Sequence, residues 1–163
     1  MTDALNIDIK SIEDAFYRKH CGATLAPALR FCEQAMKAGC HLEITNLLIP
    51  GLNDTADTVR ALAKWMAGHL GRNVPLHLSA YRPEYKLGIA ATPVETLERS
   101  GRICREALDF VYLGNVVTRD GQDTVCPGCG HRWVVRRGYS VSIEGLRAGA
   151  CAKCDRPSGF RLP

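Results

Sequence analysis

Four cysteines near the C-terminus form two closely spaced pairs with the spacing of metal ligands. Cys126 and Cys129 lie in the segment CPGCG, Cys151 and Cys154 lie in CAKC, and 21 residues separate the two pairs. Each C-x₂-C motif places two thiolates on one tight turn, and Gly130 supplies the positive φ that such a turn often needs. Two such turns predict a small ribbon that holds one zinc or one iron ion. Disulfides or four unrelated thiols are the alternatives.

A second set of polar side chains alternates with apolar ones in segments that resemble β-strands. Asp8 and Lys10 share one face of the first such segment, Glu43 and Thr45 share one face of the second, and His77 lies on the third. We expect helices to cover the apolar faces, so that the polar faces line a common concavity, where α/β proteins bind ligands. The alternative is a solvated sheet face on which Asp8 and Lys10 form a simple ion pair.

The elements that position these residues alternate between strand and helix. Strands are predicted at 5–10, 41–49, 74–81 and 110–113, and helices at 12–20, at 25–38, from a cap at Asn53 or Asp54 to Gly68, and at 93–108. Such a series predicts an α/β fold with parallel strands. We therefore expect a domain over residues 1–115, a linker over 116–124 and the metal ribbon over 125–163.

Composition and cysteine use indicate a globular protein of a reducing compartment. The chain has 163 residues, of which 46% are hydrophobic, and no apolar run approaches the ~20 residues of a membrane span. The N-terminus has neither the basic nor the apolar region of a signal peptide. Besides the ribbon cysteines, four are scattered: Cys21, Cys32, Cys40 and Cys104. Unpaired cysteines of this kind predict a cytoplasmic location without membrane contact.

Positive charge is concentrated in the ribbon. Residues 126–163 contain seven Lys and Arg side chains against two acidic ones, whereas residues 1–125 contain 14 basic and 15 acidic side chains. Either the ribbon has a solvated basic surface or it contacts an acidic partner. No aromatic platform is interleaved with the basic residues, so we do not expect a nucleic-acid partner.

Several segments, taken in order, resemble parts of a radical S-adenosylmethionine (radical SAM) enzyme. They are NIDIKS at 6–11, ITNLLIPGLND at 44–54, HLSAYRPEYKL at 77–87, TPVETL at 92–97 and VYLGN at 111–115, followed by the Cys-Pro-x-Cys-Gly ribbon. The order and spacing are similar to those of the radical SAM enzymes of the AmmeMemoRadiSam system, which are relatives of the pyruvate formate-lyase activating enzymes. The resemblance covers nearly the whole chain.

The resemblance implies the C-terminal half of a partial (β/α)₆ barrel, from its fourth strand onward, followed by a zinc-ribbon or rubredoxin-like module. The family binds a [4Fe–4S] cluster through an N-terminal C-x₃-C-x₂-C, and the cluster cleaves S-adenosylmethionine to a 5′-deoxyadenosyl radical. This sequence contains neither that motif nor the family's Gly-Gly-Glu segment. We therefore expect the chain alone to be inactive and its partner to be the missing N-terminal half or a complementing chain.

The resemblance also implies roles for individual residues. Asp8 and Lys10 match the family's Asp-x-Lys, in which the lysine approaches the S-adenosylmethionine carboxylate. Thr45 and His77 are weaker cofactor-binding candidates in the same concavity. Arg82 stands where the activating enzymes have a cofactor-contacting histidine. No residue of this chain is assigned a catalytic role, and the substrate is not identified, a protein being one candidate class.

A second function of a different class is a non-enzymatic interaction module, in which a metal ribbon is carried by half a barrel that serves as a scaffold. An in-frame C-x₃-C-x₂-C in the DNA upstream of Met1 would favour the enzyme over this alternative. A hydrolase is not supported, because the sequence shows no Ser/His/Asp or Cys/His arrangement.

Overall fold

The structure is a computed structural model that describes residues 2–118 and 121–160. The chain divides into two compact units, Met1–Val117 and Thr118–Pro163. The first unit contains helices and a parallel sheet, and the second contains short antiparallel strands.

The first unit alternates strands and helices along the chain. Its elements are β1 (Ala4–Asp8), α1 (Asp14–Phe16), a π-helical turn (Tyr17–Cys21), α2 (Leu25–Lys37), β2 (His41–Leu48), α3 (Ala56–His69), β3 (Leu76–Ala80), α4 (Val94–Arg105) and β4 (Val111–Gly114). The four strands are parallel and lie in the order β1-β2-β3-β4. The predicted α/β class with a parallel sheet is confirmed.

The hydrophobic core lies on one face of this sheet. Along β2, Ile44, Asn46 and Leu48 are buried, whereas Thr45 and Leu47, which alternate with them, are half-exposed. Cys32 of α2, Met66 of α3 and Leu97 of α4 are fully buried in the same cluster. The helices therefore cover the apolar face, and the opposite face of the described sheet stays open and polar.

The helix predicted at 12–20 forms only in part. Three residues, Asp14–Phe16, are α-helical, and Tyr17–Cys21 widen into a π-helical turn that ends at Gly22 with φ +63°. Such turns are often found at functional sites. Here the turn carries the buried Tyr17, whose hydroxyl accepts a hydrogen bond from the Lys10 amide at 3.0 Å.

The N-cap of α3 is Thr55, not Asn53 or Asp54 as the sequence suggested. The Thr55 hydroxyl accepts a hydrogen bond from the Thr58 amide at 3.1 Å. The two predicted caps are engaged in the preceding loop, because Asp54 accepts from the Gly51 amide at 2.8 Å and the Asn53 side chain is buried. Local cap preference is thus overridden by the turn that precedes the helix.

The second unit is a ribbon of short antiparallel strands. A three-stranded sheet contains β5 (Thr124–Val125), β6 (Arg132–Arg137) and β7 (Ser140–Ile143), and a two-stranded one contains β8 (Leu146–Arg147) and β9 (Ala150–Cys151). Trp133 is fully buried, and its ring meets that of Phe160 edge-on at 5.8 Å between centroids. So small a core is typical of modules that need a metal ion to fold.

None of the described helices combines the length and the apolar character that crossing a membrane requires.

Candidate metal centre and open sheet face

The four ribbon cysteines bring their sulfur atoms together. All four Sγ atoms lie within 4.8 Å of one another. Cys126 Sγ lies 3.6 Å from Cys154 Sγ, and Cys129 Sγ lies 3.7 Å from Cys151 Sγ. These separations are far longer than a disulfide bond of ~2.05 Å, and they fit the edges of ~3.8 Å in a tetrahedron whose metal–sulfur distance is ~2.3 Å. The residues therefore fit a single ion held by four thiolates.

Two equivalent turns present these thiolates. The Gly130 amide donates to Cys126 O at 2.8 Å, and the Asp155 amide donates to Cys151 O at 3.0 Å. Gly130 has φ +70°, as the sequence predicts, and Asp155 has φ +58° at the matching position of the second turn. Sequence reasoning missed Asp155, although aspartate is one of the few residues that tolerate this conformation. The equivalence of the two turns explains why the four sulfurs converge.

A buried indole supports the cluster. Burial opposes ionisation of the Cys151 thiol, but the polar groups of the Trp133 side chain and of the backbone of Lys153 and Cys154 outweigh it and lower the Cys151 pKa. The thiolate is the form that binds metal. The four-sulfur donor set suits zinc and iron alike, and a site closed by four protein ligands is typical of structural metal centres.

Part of the ribbon's positive charge is paired within the ribbon. Asp123 lies 3.1 Å from Arg132 Nε and 3.4 Å from Arg137 Nη1, and its carboxylate also accepts from the Arg136 amide at 2.8 Å. These contacts pair the charge of two basic side chains, Arg132 and Arg137, with Asp123. An acidic partner for the others stays a prediction.

On the open face of the parallel sheet, three predicted site residues lie in one row. The strand register places Asp8 opposite Thr45, Thr45 opposite His77, and His77 opposite Tyr112. All four side chains point away from the core face, because they alternate with its buried residues. The sheet therefore brings Asp8, Thr45 and His77 together.

Lys10 lies just beyond the end of β1 and pairs with Asp8. Its Nζ is 3.1 Å from Asp8 Oδ1, and the lysine and aspartate side chains are 39% and 53% exposed. An ion pair this exposed contributes little to stability. Both charged groups stay accessible to a ligand.

Glu43 orients His77 within this face. Its Oε2 lies 2.9 Å from His77 Nε2, and its Oε1 lies 3.2 Å from His41 Nε2. The hydrogen bond to His77 is the main cause that lowers the Glu43 pKa to about 2. The face of the His77 imidazole stacks on the ring of Tyr112, with 5.2 Å between ring centroids. Sequence reasoning gave Glu43 no role and missed Tyr112, and the strand register is the signal that connects them.

The two remaining candidates differ in their placement. Thr45 Oγ1 donates to Asn6 Oδ1 at 2.9 Å, so the hydroxyl is held within the open face. Arg82 is exposed beyond the end of β3, where it lines an open cavity of ≈ 370 Å³ together with Tyr81 and Asn115. Arg82 is therefore not part of the row that holds the other candidates.

The scattered cysteines do not form a cluster site. Over residues 2–118 and 121–160, the ribbon cysteines are the only group that brings three or more metal-ligand atoms together. Cys32 and Cys104 are buried, and burial raises their pKa values to about 11 and about 12. Cys21 is exposed and Cys40 Sγ donates to Thr2 O at 3.2 Å. The described residues of the first unit therefore do not fit a [4Fe–4S] cluster.

A search with the sequence finds a relative that is longer than this chain. The uncharacterized protein MJ0808 of Methanocaldococcus jannaschii is 42% identical over 146 residues. The match covers 88% of this chain and 44% of that protein, so the chain spans less than half the length of its relative. No family model matches the sequence.

Two solved structures resemble the fold. A domain of the pyruvate-formate lyase-activating enzyme from Bacteroides vulgatus has a TM-score of 0.61 and 19% identity, over 69% of this chain and 68% of that one. A radical SAM methyltransferase from Sphaerobacter thermophilus has a TM-score of 0.52 and 20% identity, over 79% of this chain and 37% of that one. The fold of this chain is thus similar to the folds of these two proteins.

Proposed function

We propose that this chain is the S-adenosylmethionine-facing portion of a radical SAM enzyme of the AmmeMemoRadiSam type, related to the glycyl-radical activating enzymes. The observation that carries the proposal is the accessible Asp8–Lys10 pair beside the row of Thr45 and His77 on the open face of the sheet. The likeness to two radical SAM folds supports it.

The open face offers groups that suit the amino-acid part of S-adenosylmethionine. The Lys10 ammonium is a flexible point charge that pairs with a carboxylate. The Asp8 carboxylate, on the same face of the sheet, pairs with that ammonium, with 3.1 Å between Oδ1 and Nζ. Thr45 and the oriented imidazole of His77 line the neighbouring surface and contribute hydrogen-bonding groups toward a ligand there.

The radical-forming chemistry needs groups from elsewhere. In the family, a [4Fe–4S] cluster held by C-x₃-C-x₂-C supplies the electron that cleaves S-adenosylmethionine to a 5′-deoxyadenosyl radical. This chain has no such motif, so an N-terminal half or a complementing chain supplies the cluster thiolates. Within the described sheet, β1 pairs with β2 alone, and its other edge has the unpaired backbone groups that a further parallel strand needs.

Several finer features belong to the same proposal. The ribbon holds one zinc or iron ion in a structural role. All eight cysteines are free thiols, which suits the cytoplasm. The substrate is a separate molecule, for which a protein is the candidate class by analogy with the activating enzymes.

Reconstitution tests the proposal. The 163-residue chain is treated with iron, sulfide and reductant, and 5′-deoxyadenosine is measured with and without a complementing polypeptide that carries C-x₃-C-x₂-C. We expect product only in the mixture, and Lys10→Ala should weaken S-adenosylmethionine binding by about 1.5–3 kcal/mol, the scale of a charged hydrogen bond. Turnover by the chain alone, or binding unchanged by Lys10→Ala in the active mixture, would overturn it.

A second candidate function is a non-enzymatic interaction module. It is favoured by the closed four-thiolate group together with the apolar side chains that β7 and its hairpin expose: Tyr139, Val141 and Ile143. This candidate predicts that S-adenosylmethionine leaves the NMR signals of Asp8 and Lys10 unchanged even when a complementing polypeptide is bound. The enzyme proposal predicts that those signals shift.

A further inference from the structure

Two asparagine side chains converge on the backbone of Lys10. Asn46 Nδ2 donates to Ile9 O at 2.7 Å and to Lys10 O at 3.2 Å. Asn53 Nδ2 donates to Lys10 O at 2.6 Å and to Leu47 O at 2.9 Å. The two asparagines come from β2 and from the loop after it, so the end of β1 is held by groups that lie about 40 residues further along the chain.

Both asparagines are buried, and Asn46 stands at a core-facing strand position where an apolar residue is the ordinary choice. Asn46 is 3% exposed and lies on the core face of β2 between Ile44 and Leu48, and Asn53 is 1% exposed. A buried amide is costly unless it is hydrogen-bonded. The two Nδ2 groups donate to the carbonyls of Ile9 and Lys10, just after β1. The two amides are therefore satisfied only when the backbone of that segment has its observed conformation.

The rest of the Lys10 backbone is held as well. Its amide donates to the buried Tyr17 hydroxyl at 3.0 Å. The side chain, by contrast, is 39% exposed and meets Asp8 alone among the ion pairs that the structure describes. A fixed backbone under an accessible ammonium is the arrangement of a preorganised binding group, because less freedom remains to be lost when a ligand binds.

We propose that Asn46 and Asn53 are positioning residues for Lys10: their amides fix the Ile9–Lys10 backbone so that the ammonium is held where the carboxylate of the ligand binds. The proposal rests on the proposed function, in which that ligand is S-adenosylmethionine. It assigns to two buried asparagines a part in ligand affinity that their burial alone would assign to stability.

The experiment compares two ligands on the full 163-residue chain by NMR titration, which measures weak affinities. S-adenosylmethionine carries the carboxylate, and 5′-methylthioadenosine lacks it. The variants are Asn46→Ala and Asn53→Ala, with Asn46→Ser and Asn53→Ser as replacements for either that does not fold. Thr92→Val is the matched control, because the Thr92 hydroxyl donates to Leu48 O at 2.6 Å and accepts from the Tyr81 amide at 2.9 Å, a buried clamp away from Lys10.

We expect each asparagine variant to raise the S-adenosylmethionine Kd about 3–10-fold, the effect of losing one of the two hydrogen bonds to Lys10 O, and to leave the 5′-methylthioadenosine Kd unchanged. The double variant should lose as much as Lys10→Ala, and Thr92→Val should change neither Kd. Equal weakening of both ligands, or an unchanged S-adenosylmethionine Kd while Lys10→Ala weakens it, would overturn the positioning role and leave the proposed function intact. Wild-type protein that does not respond to S-adenosylmethionine, either alone or with a complementing polypeptide bound, would overturn the proposed function and the positioning role with it.

Discussion

The imidazole of His77 and the carboxylate of Glu43 are joined across neighbouring parallel strands, with 2.9 Å between Nε2 and Oε2. The contact is diagonal, because the register pairs His77 with Thr45 rather than with Glu43. The carboxylate also meets His41 at 3.2 Å, so a single acidic group links two imidazoles on the open face. Both contacts favour the ionised form of this carboxylate.

The Glu43 contact predicts a pH dependence of stability. The folded-state pKa of Glu43 is lowered from 4.5 to about 2, so its contribution is fully present above pH 4.5 and is lost as the pH falls toward 2. Because the side chain is 35% exposed, we expect Glu43→Gln to cost at most about 1 kcal/mol. Urea unfolding at pH 5 and at pH 2.5 should show a difference between wild type and variant that shrinks at the lower pH. The exposed Glu84→Gln serves as the control, and a difference that grows on acidification would contradict the assignment.

The ribbon should bind one metal ion per chain. Cys126→Ser removes one of four sulfurs and should abolish stoichiometric metal, whereas Cys21→Ser, at an exposed cysteine of the other unit, should retain it. Metal analysis of the purified proteins measures the outcome, and a colourless protein indicates zinc while a red one indicates iron. Full metal content in Cys126→Ser would refute the site.

The indole N–H of Trp133 should strengthen metal binding. Trp133→Phe retains a ring beside Phe160 but removes the polar N–H group, which favours the Cys151 thiolate. We expect metal affinity to fall about 10-fold, as for other groups that hydrogen-bond to a metal ligand. Competition with a chromophoric chelator measures the affinity. Trp65→Phe, at a half-buried tryptophan of α3, is the matched control and should leave it unchanged.

The corrected N-cap of α3 can be tested directly. Thr55→Ala removes the acceptor for the Thr58 amide and should lower the free energy of unfolding by about 1 kcal/mol. Asp57→Ala, in the same first turn, changes an exposed side chain that is not a cap and should cost less. Chemical denaturation of the three proteins settles the order. Equal stability of Thr55→Ala and wild type would show that Thr55 is not the residue that caps α3.

The parts of the fold that depend on short-range periodicity were predictable from the sequence. Strand alternation around residues 41–49 and 74–81 gave β2 and β3 within two residues at each end, since a period of two is local information. The two C-x₂-C motifs likewise predict their own turns. Both signals lie within a few residues of the structure that they specify.

The contacts that complete the open face depend on distant parts of the chain. Asparagine often caps a helix, yet the Asn53 side-chain amide donates a hydrogen bond to Lys10 O, 43 residues away. The contact of His77 with Glu43 spans 34 residues and follows from the register of β2 and β3. Neither relationship has a local sequence signal, because tertiary pairing decides between several satisfactory local choices.

The position of β1 at the border of the sheet has a consequence for regulation. Asp8 and Lys10 lie at the carboxyl end of the strand whose outer side is open among the described strands. A strand added there would lie directly beside the charged pair. Ligand binding at Asp8 and Lys10 and the pairing of the added strand with β1 would then be coupled by one interaction free energy. By linkage, a small molecule bound at Lys10 would tighten assembly by the same factor by which assembly tightens its binding. Under the proposed function, the concentration of S-adenosylmethionine would then shift the fraction of the protein that is assembled with its complementing half.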